Sequence, residues 1–156
     1  RIIHGVLRIL HLGGLRIKQE KEGTVNISFK ESIKLCGMPV IHTDNGRLCF
    51  LIDTGASYNV LLRDAYDRER AIFGERGDSN YLIGMEGQPR SIFIVEGILP
   101  IAGENRRLNF GVLDESQAMD MVRIITGQQI DGALGVEFLR AYGLAVDFAS
   151  MTLHTD

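Results

Sequence analysis

Cysteine is scarce in this chain, and the spaced motifs of metal, phosphate and serine chemistry are missing altogether. Cys36 and Cys49 allow at most one disulfide, so no cystine framework can hold the fold. If Asn45-Gly46 makes a two-residue hairpin loop, Cys49 faces His42 rather than Cys36, and both cysteines read as buried thiols. His4, His11, His42 and His154 are scattered, with no HExxH or Cys/His zinc spacing, so no metal site is expected. Eighteen glycines form neither Gly-x-x-x-x-Gly-Lys nor Gly-x-Gly-x-x-Gly, which leaves no phosphate cradle. Ser57 does not sit in Gly-x-Ser-x-Gly, because Asn59 occupies the place of the second Gly. Long apolar runs are lacking too. Residues 1–17 are rich in Ile, Leu and Val, but His4, Arg8, His11 and Arg16 interrupt them well short of the roughly 18–20 residues that a membrane-spanning helix needs.

What is present describes one globular domain with a sizeable core: 156 residues, 45% hydrophobic, net charge −3. Five of the 17 basic residues lie in residues 1–22 against two Glu, so that segment carries +3 and residues 23–156 carry −6. A mildly acidic domain argues against a nucleic-acid groove. The chain therefore divides into a basic, apolar segment, 1–22, and a domain, 23–156. The segment reads as a pro-segment, a surface helix or an added strand; packing on its own domain is the simplest reading, and interfacial membrane contact is not favoured. An Arg at position 1 is what a fragment or processed product would show.

Along the domain, Val25, Ile27 and Phe29 alternate in a first strand over 23–30. Residues 33–42 and 48–52 read as two strands joined at Asp44-Asn45-Gly46-Arg47. Val60-Leu61-Leu62 is a short strand, residues 64–73 are helical or irregular, and the charges over 63–70 form a solvated face. One hairpin is expected over 81–94 with its tip at Met85-Glu86-Gly87. A second runs 96–101 to 108–113 and turns at Gly103-Glu104-Asn105. Asp114 is placed to cap a helix over 115–125 that buries Ala118, Val122 and Ile125 and stops at Gly127. A last hairpin joins 144–148 to 151–154.

The chemistry concentrates in Phe50-Leu51-Ile52-Asp53-Thr54-Gly55-Ala56-Ser57. An apolar strand delivers Asp53 into a tight turn, where a carboxylate in a low-dielectric pocket must be hydrogen-bonded or shared. Asp-Thr-Gly alone is also an ordinary turn signal. A second segment, Ala133-Leu134-Gly135-Val136-Glu137-Phe138-Leu139 through Gly143 to Phe148, follows towards the end of the chain, and Tyr81 to Gln88 lies between the two. Together these resemble the retropepsin-like aspartic peptidases: the catalytic loop, the apolar-Gly segment that passes beneath it, and the flap hairpin.

The resemblance implies an all-β fold, a single acid-protease lobe with a closed, barrel-like sheet, a flap and one or two short helices. It implies an aspartic endopeptidase with Asp53, Thr54 and Gly55 as the catalytic loop. Ala56, Ser57, Leu134 and the flap residues Gly84, Met85, Glu86 and Gly87 would meet the substrate. It requires a peptide or protein substrate and no cofactor. Two carboxylates must share a proton, yet the chain has one Asp-Thr-Gly; Ile130-Asp131-Gly132 lacks the Thr or Ser. A homodimer is therefore expected, with one Asp53 from each copy. Ser57 and Val136 stand where the viral enzymes carry an Asp and an Arg that pair, so the pattern is closer to cellular or bacterial relatives. The rival reading is a non-catalytic dimerisation or peptide-binding module of the same fold.

Overall fold

The computed structural model describes residues 24–83, 89–114 and 116–155. The expectations for residues 1–22 and for the hairpin tip at 84–87 lie outside the described residues. The chain is mostly β, with ten strands among the described residues in a seven-stranded and a three-stranded sheet.

The first strand is shorter than its alternation suggested: β1 spans Asn26–Ser28, flanked by buried Val25 and Phe29. The chain then departs from the expected strand over 33–42. Helix α1 (Lys30–Cys36) occupies its first part, and only β2 (Val40–His42) is extended. Gly37, at φ 72, ends the helix in the left-handed conformation that glycine adopts most readily. The Ser32 hydroxyl then ties α1 to the next strand, accepting from Val40 N and donating to Met38 O, each at 2.9 Å.

Strand β3 (Cys49–Ile52) pairs antiparallel with β2, with His42 opposite Cys49 as the turn reading required. Both cysteines are free; Cys49 is buried, and Cys36 is only half-buried. β4 (Val60–Leu62) leads into α2 (Arg63–Arg68) and a 3-10 turn over Arg70–Ile72. This charged stretch is not simply a solvated face. Glu69 is 6% exposed, and Arg47 reaches it at 2.7 Å.

Strands β5 (Ser79–Ile83) and β6 (Pro89–Ile101) form the expected hairpin arms, and β6 folds back on β7 (Glu104–Leu113). The second turn comes one residue earlier than expected. Ala102 and Gly103, at φ 56 and 77, make a two-residue loop whose N–H groups both donate to the Asp44 carboxylate. Helix α3 (Gln117–Thr126) is capped by Ser116, which accepts from Met119 N, while Asp114 instead accepts from Arg63 Nε at 2.7 Å. α3 ends at Gly127 as expected, but it buries Met119 and Thr126 and turns Ala118 and Ile125 outward.

β8 (Gly132–Leu134), α4 (Val136–Ala141), β9 (Leu144–Asp147) and β10 (Thr152–Thr155) complete the order. The small sheet runs β1-β10-β9, and the large one runs β2-β3-β8-β4-β7-β6-β5. The expected closed barrel is therefore an open sheet whose edge strands are β2 and β5. Four α-helices are present among the described residues where one or two were expected. Phe50, Phe93, Phe110, Leu134 and Phe138 fill the main core, and Phe50 stacks on Phe110 at 5.6 Å.

Candidate active site

Asp53 leaves β3 where the strand pairs in parallel with β8, in the register Ile52 to Leu134. Its own N–H donates to Leu134 O at 3.0 Å, and its backbone carbonyl accepts from Ala56 N at 3.1 Å. The turn so formed brings Gly55 N to 2.9 Å from Asp53 Oδ1. A backbone amide aimed at a carboxylate fixes its orientation. Among the described residues, no cation pairs with Asp53.

The side chain is half-buried rather than sunk in the low-dielectric pocket expected of it. The loop rests on the Leu134-Gly135 segment through the bond from Asp53 N to Leu134 O. Thr54, Gly55 and Ser57 are exposed, and Ala56 is half-buried. Leu134, expected against substrate, is fully buried in the main core and acts from below.

A layer beneath makes the loop rigid. Gly135 passes so close that a Cβ there would lie 2.5 Å from Ala56 O and 2.6 Å from Tyr58 O, so only glycine fits. The following amides close the layer: Val136 N donates to Ala56 O at 2.8 Å and Glu137 N to Ser57 O at 3.2 Å. Asn59, 1% exposed, locks both segments to a third. Its Oδ1 accepts from Gly135 N at 3.0 Å, and its Nδ2 donates to Asn109 O at 3.1 Å. The sequence reading used Asn59 only to exclude a serine elbow; a lone amide opening the apolar run Val60-Leu61-Leu62 was the available signal.

At the other end of the β3–β8 pair stands Asp131, 2% exposed. Its carboxylate accepts from Cys49 N at 2.9 Å and from Arg68 at 2.7 Å. That hydrogen bond holds the Arg68 pKa above its ordinary value. Burial, with Asp131 and then Cys36 nearby, pushes the Cys49 thiol up to about 12, so it stays protonated and inert. The structure thus does not bring Asp131 to Asp53 as a second reacting acid.

A cleft of about 240 Å³ is walled by residues of β5, β6, β7 and α4 with Tyr58 and Asn59, and residues 53–57 are not among its walls. Tyr58, Asn59, Tyr81, Ile92, Ile94 and Glu137 are among its walls. It begins at Tyr58, a few residues past Asp53, and its lining is largely apolar. The loop offers an oriented, partly accessible carboxylate, and the cleft is a separate feature whose walls do not include it.

No protein-family model matches the chain, and no curated protein matches it. Among solved structures it is similar to EIAV protease, determined in complex with the inhibitor HBY-793, at 20% identity and a TM-score of 0.45. The match covers 83% of this chain and 95% of that one.

Proposed function

We propose that the protein is a retropepsin-like aspartic endopeptidase, active as a homodimer in which the Asp53 of each copy contributes to one site. The observation that carries this reading is the Asp53 loop itself. Its carboxylate is oriented by Gly55 N, left without a cation among the described residues, half-exposed, and held on the Leu134-Gly135 layer. A lone carboxylate cannot be both base and acid, so the exposed flank of the loop is where a second copy's loop belongs. In the dimer one Asp53 takes a proton from water as the other donates to the peptide carbonyl. Thr54 braces the facing loop. Gly55, Ala56 and Ser57 line the floor of the substrate channel, and Gly84, Met85, Glu86 and Gly87 close over it. Main-chain bonds to an extended peptide supply affinity.

The test is cleavage of a broad peptide library across protein concentration, with mass in solution measured in parallel. Activity should fall more steeply than linearly on dilution, and excess Asp53→Asn protein should poison the parent by forming mixed dimers. Bell-shaped dependence on pH, with loss above neutrality, should accompany it, since the pair works only with one shared proton. Activity strictly proportional to the concentration of a demonstrated monomer would rule the scheme out. A folded dimer that binds peptides but cuts none would instead be the binding module.

A further inference from the structure

The cleft walled by β5, β6, β7 and α4 lies on the face of the sheet away from the main core. Ile92 and Ile94 share one side of β6, whereas Phe93 and Val95 enter the core from the other. Ile92 packs into space that Gly111 leaves free, since a Cβ there would lie 2.7 Å from Ile92 Cδ1. Tyr58 and Tyr81, 64% and 74% exposed, bring two accessible rings to the walls. The volume of about 240 Å³ is below the ~300–1,000 Å³ of sites for drug-sized ligands, so a single side chain suits it better than a whole molecule.

Its charge is one-sided. Among the described residues the walls hold one carboxylate, Glu137, and no Lys, Arg or His. Glu137 is half-buried, and no described cation pairs with it; Arg140, three residues on, is exposed and makes no ion pair with it. A half-buried carboxylate beside apolar groups is completed by a cation, and tyrosine ring faces attract the same charge. An apolar floor, two tyrosines and one unpaired acid match a long basic side chain, whose methylenes cover the floor while its head meets the acid.

The cleft is joined to the Asp53 loop through its own walls. Asn59 is one of them and also holds Gly135 N, and Glu137 N donates to Ser57 O. Tyr58 follows Asp53 by five residues, at most about 18 Å of chain, which an extended substrate also covers in about five residues.

We propose that this cleft is a specificity pocket that takes a lysine or arginine side chain of the peptide substrate, within about five residues of the bond cut. The proposal rests on the peptidase reading and adds to it the class of residue that the site selects.

The experiment uses the full chain and peptides built around a sequence it cleaves, with Lys, norleucine or Glu placed in turn at each of the five positions on either side of the cut. Norleucine keeps most of the lysine stem and lacks the ammonium. At one of these positions Lys should lower KM about fivefold or more relative to norleucine, the size that a partly exposed ion pair supports. Glu137→Gln, close to isosteric, should erase the difference between the two peptides. Glu137→Lys should reverse it, making the Glu peptide the better substrate. Asp53-dependent cleavage with no such preference in the parent, or with the preference intact in both variants, overturns this inference and spares the peptidase. A parent that cuts nothing overturns both.

Discussion

The two ends of the parallel β3–β8 pair each carry an aspartate, and the two are used in opposite ways. Asp131 is 2% exposed, and its oxygens are taken by Arg68 and by Cys49 N. Asp53 is half-exposed, and its oxygen accepts a single backbone amide from Gly55. A buried carboxylate survives only when paired and hydrogen-bonded, so Asp131 is committed to the structure. A carboxylate held by one amide keeps lone pairs for a water, a proton or a second acid. Both are followed by short turns or glycines in the sequence, and only their surroundings tell them apart.

Substitution should separate the two completely. Asp53→Asn should lower peptide cleavage roughly a thousandfold or more, since a catalytic group acting in a unit cannot be spared. Its thermal midpoint should stay within a few degrees of the parent's, because no buried ion pair is lost. A variant that keeps the parent's rate would falsify the assignment of Asp53.

Asp131→Ala should do the reverse. It strands Arg68 and the Cys49 amide, and removal of one partner from a buried pair costs about 3–5 kcal/mol. Arg68 is 40% exposed and water can reach it, so a discounted loss of about 2–4 kcal/mol is expected. Chemical denaturation reads this directly. An unchanged midpoint would show that Asp131 is not the structural member of the pair.

Between these extremes lies Asn59, which touches no substrate and yet shapes the loop. Asn59→Ala leaves Gly135 N and Asn109 O without their partner, each worth about 1–3 kcal/mol when buried. Stability should fall by about 2–3 kcal/mol. Turnover should fall by roughly ten- to a hundredfold as the loop loosens. Asn59→Asp, which keeps the acceptor for Gly135 N but not the donor, should recover part of both. Equal kcat in parent and Asn59→Ala would mean that the amide supports the fold alone.

The contrast also explains what the sequence made legible. Asp53, its apolar strand and the hairpin registers depend on neighbours a few residues away, and local pattern carries them. The Gly135–Asn59 bond joins residues 76 apart and Arg68–Asp131 residues 63 apart, so no window of sequence contains either. Ile33 and Leu35 fit a strand's alternation as well as a helix; Gly37 and the Ser32 bonds to β2 decided for the helix. On α3 the apolar residues encircle most of the helix, and the inward face was misjudged because Met119, Val122 and Arg123 fit the second cluster and the Ile130 carbonyl. The sheet stayed open because its edge strands, β2 and β5, do not meet.

A third carboxylate gives the smallest and cleanest measurement. Asp147 at the β9–β10 turn is partly exposed yet bound, accepting from the Ser150 hydroxyl at 2.7 Å and from Ala149 N at 2.7 Å. The Ser150 hydroxyl first, then the Ala149 and Ser150 amides, hold its pKa below the ordinary aspartate value. Between the lowered native pKa and the ordinary unfolded one, the unfolded chain binds more protons, so stability rises with pH through that window. Asp147 therefore stabilises the hairpin fully above the ordinary aspartate pKa and loses this contribution as pH falls through the native value. Asp147→Asn should be slightly less stable than the parent at pH 7, and the gap should close in acid. The check is unfolding of both proteins at neutral pH and near pH 3. A gap of the same size at both would mean that the turn is held by its backbone geometry, with the charge of Asp147 contributing nothing.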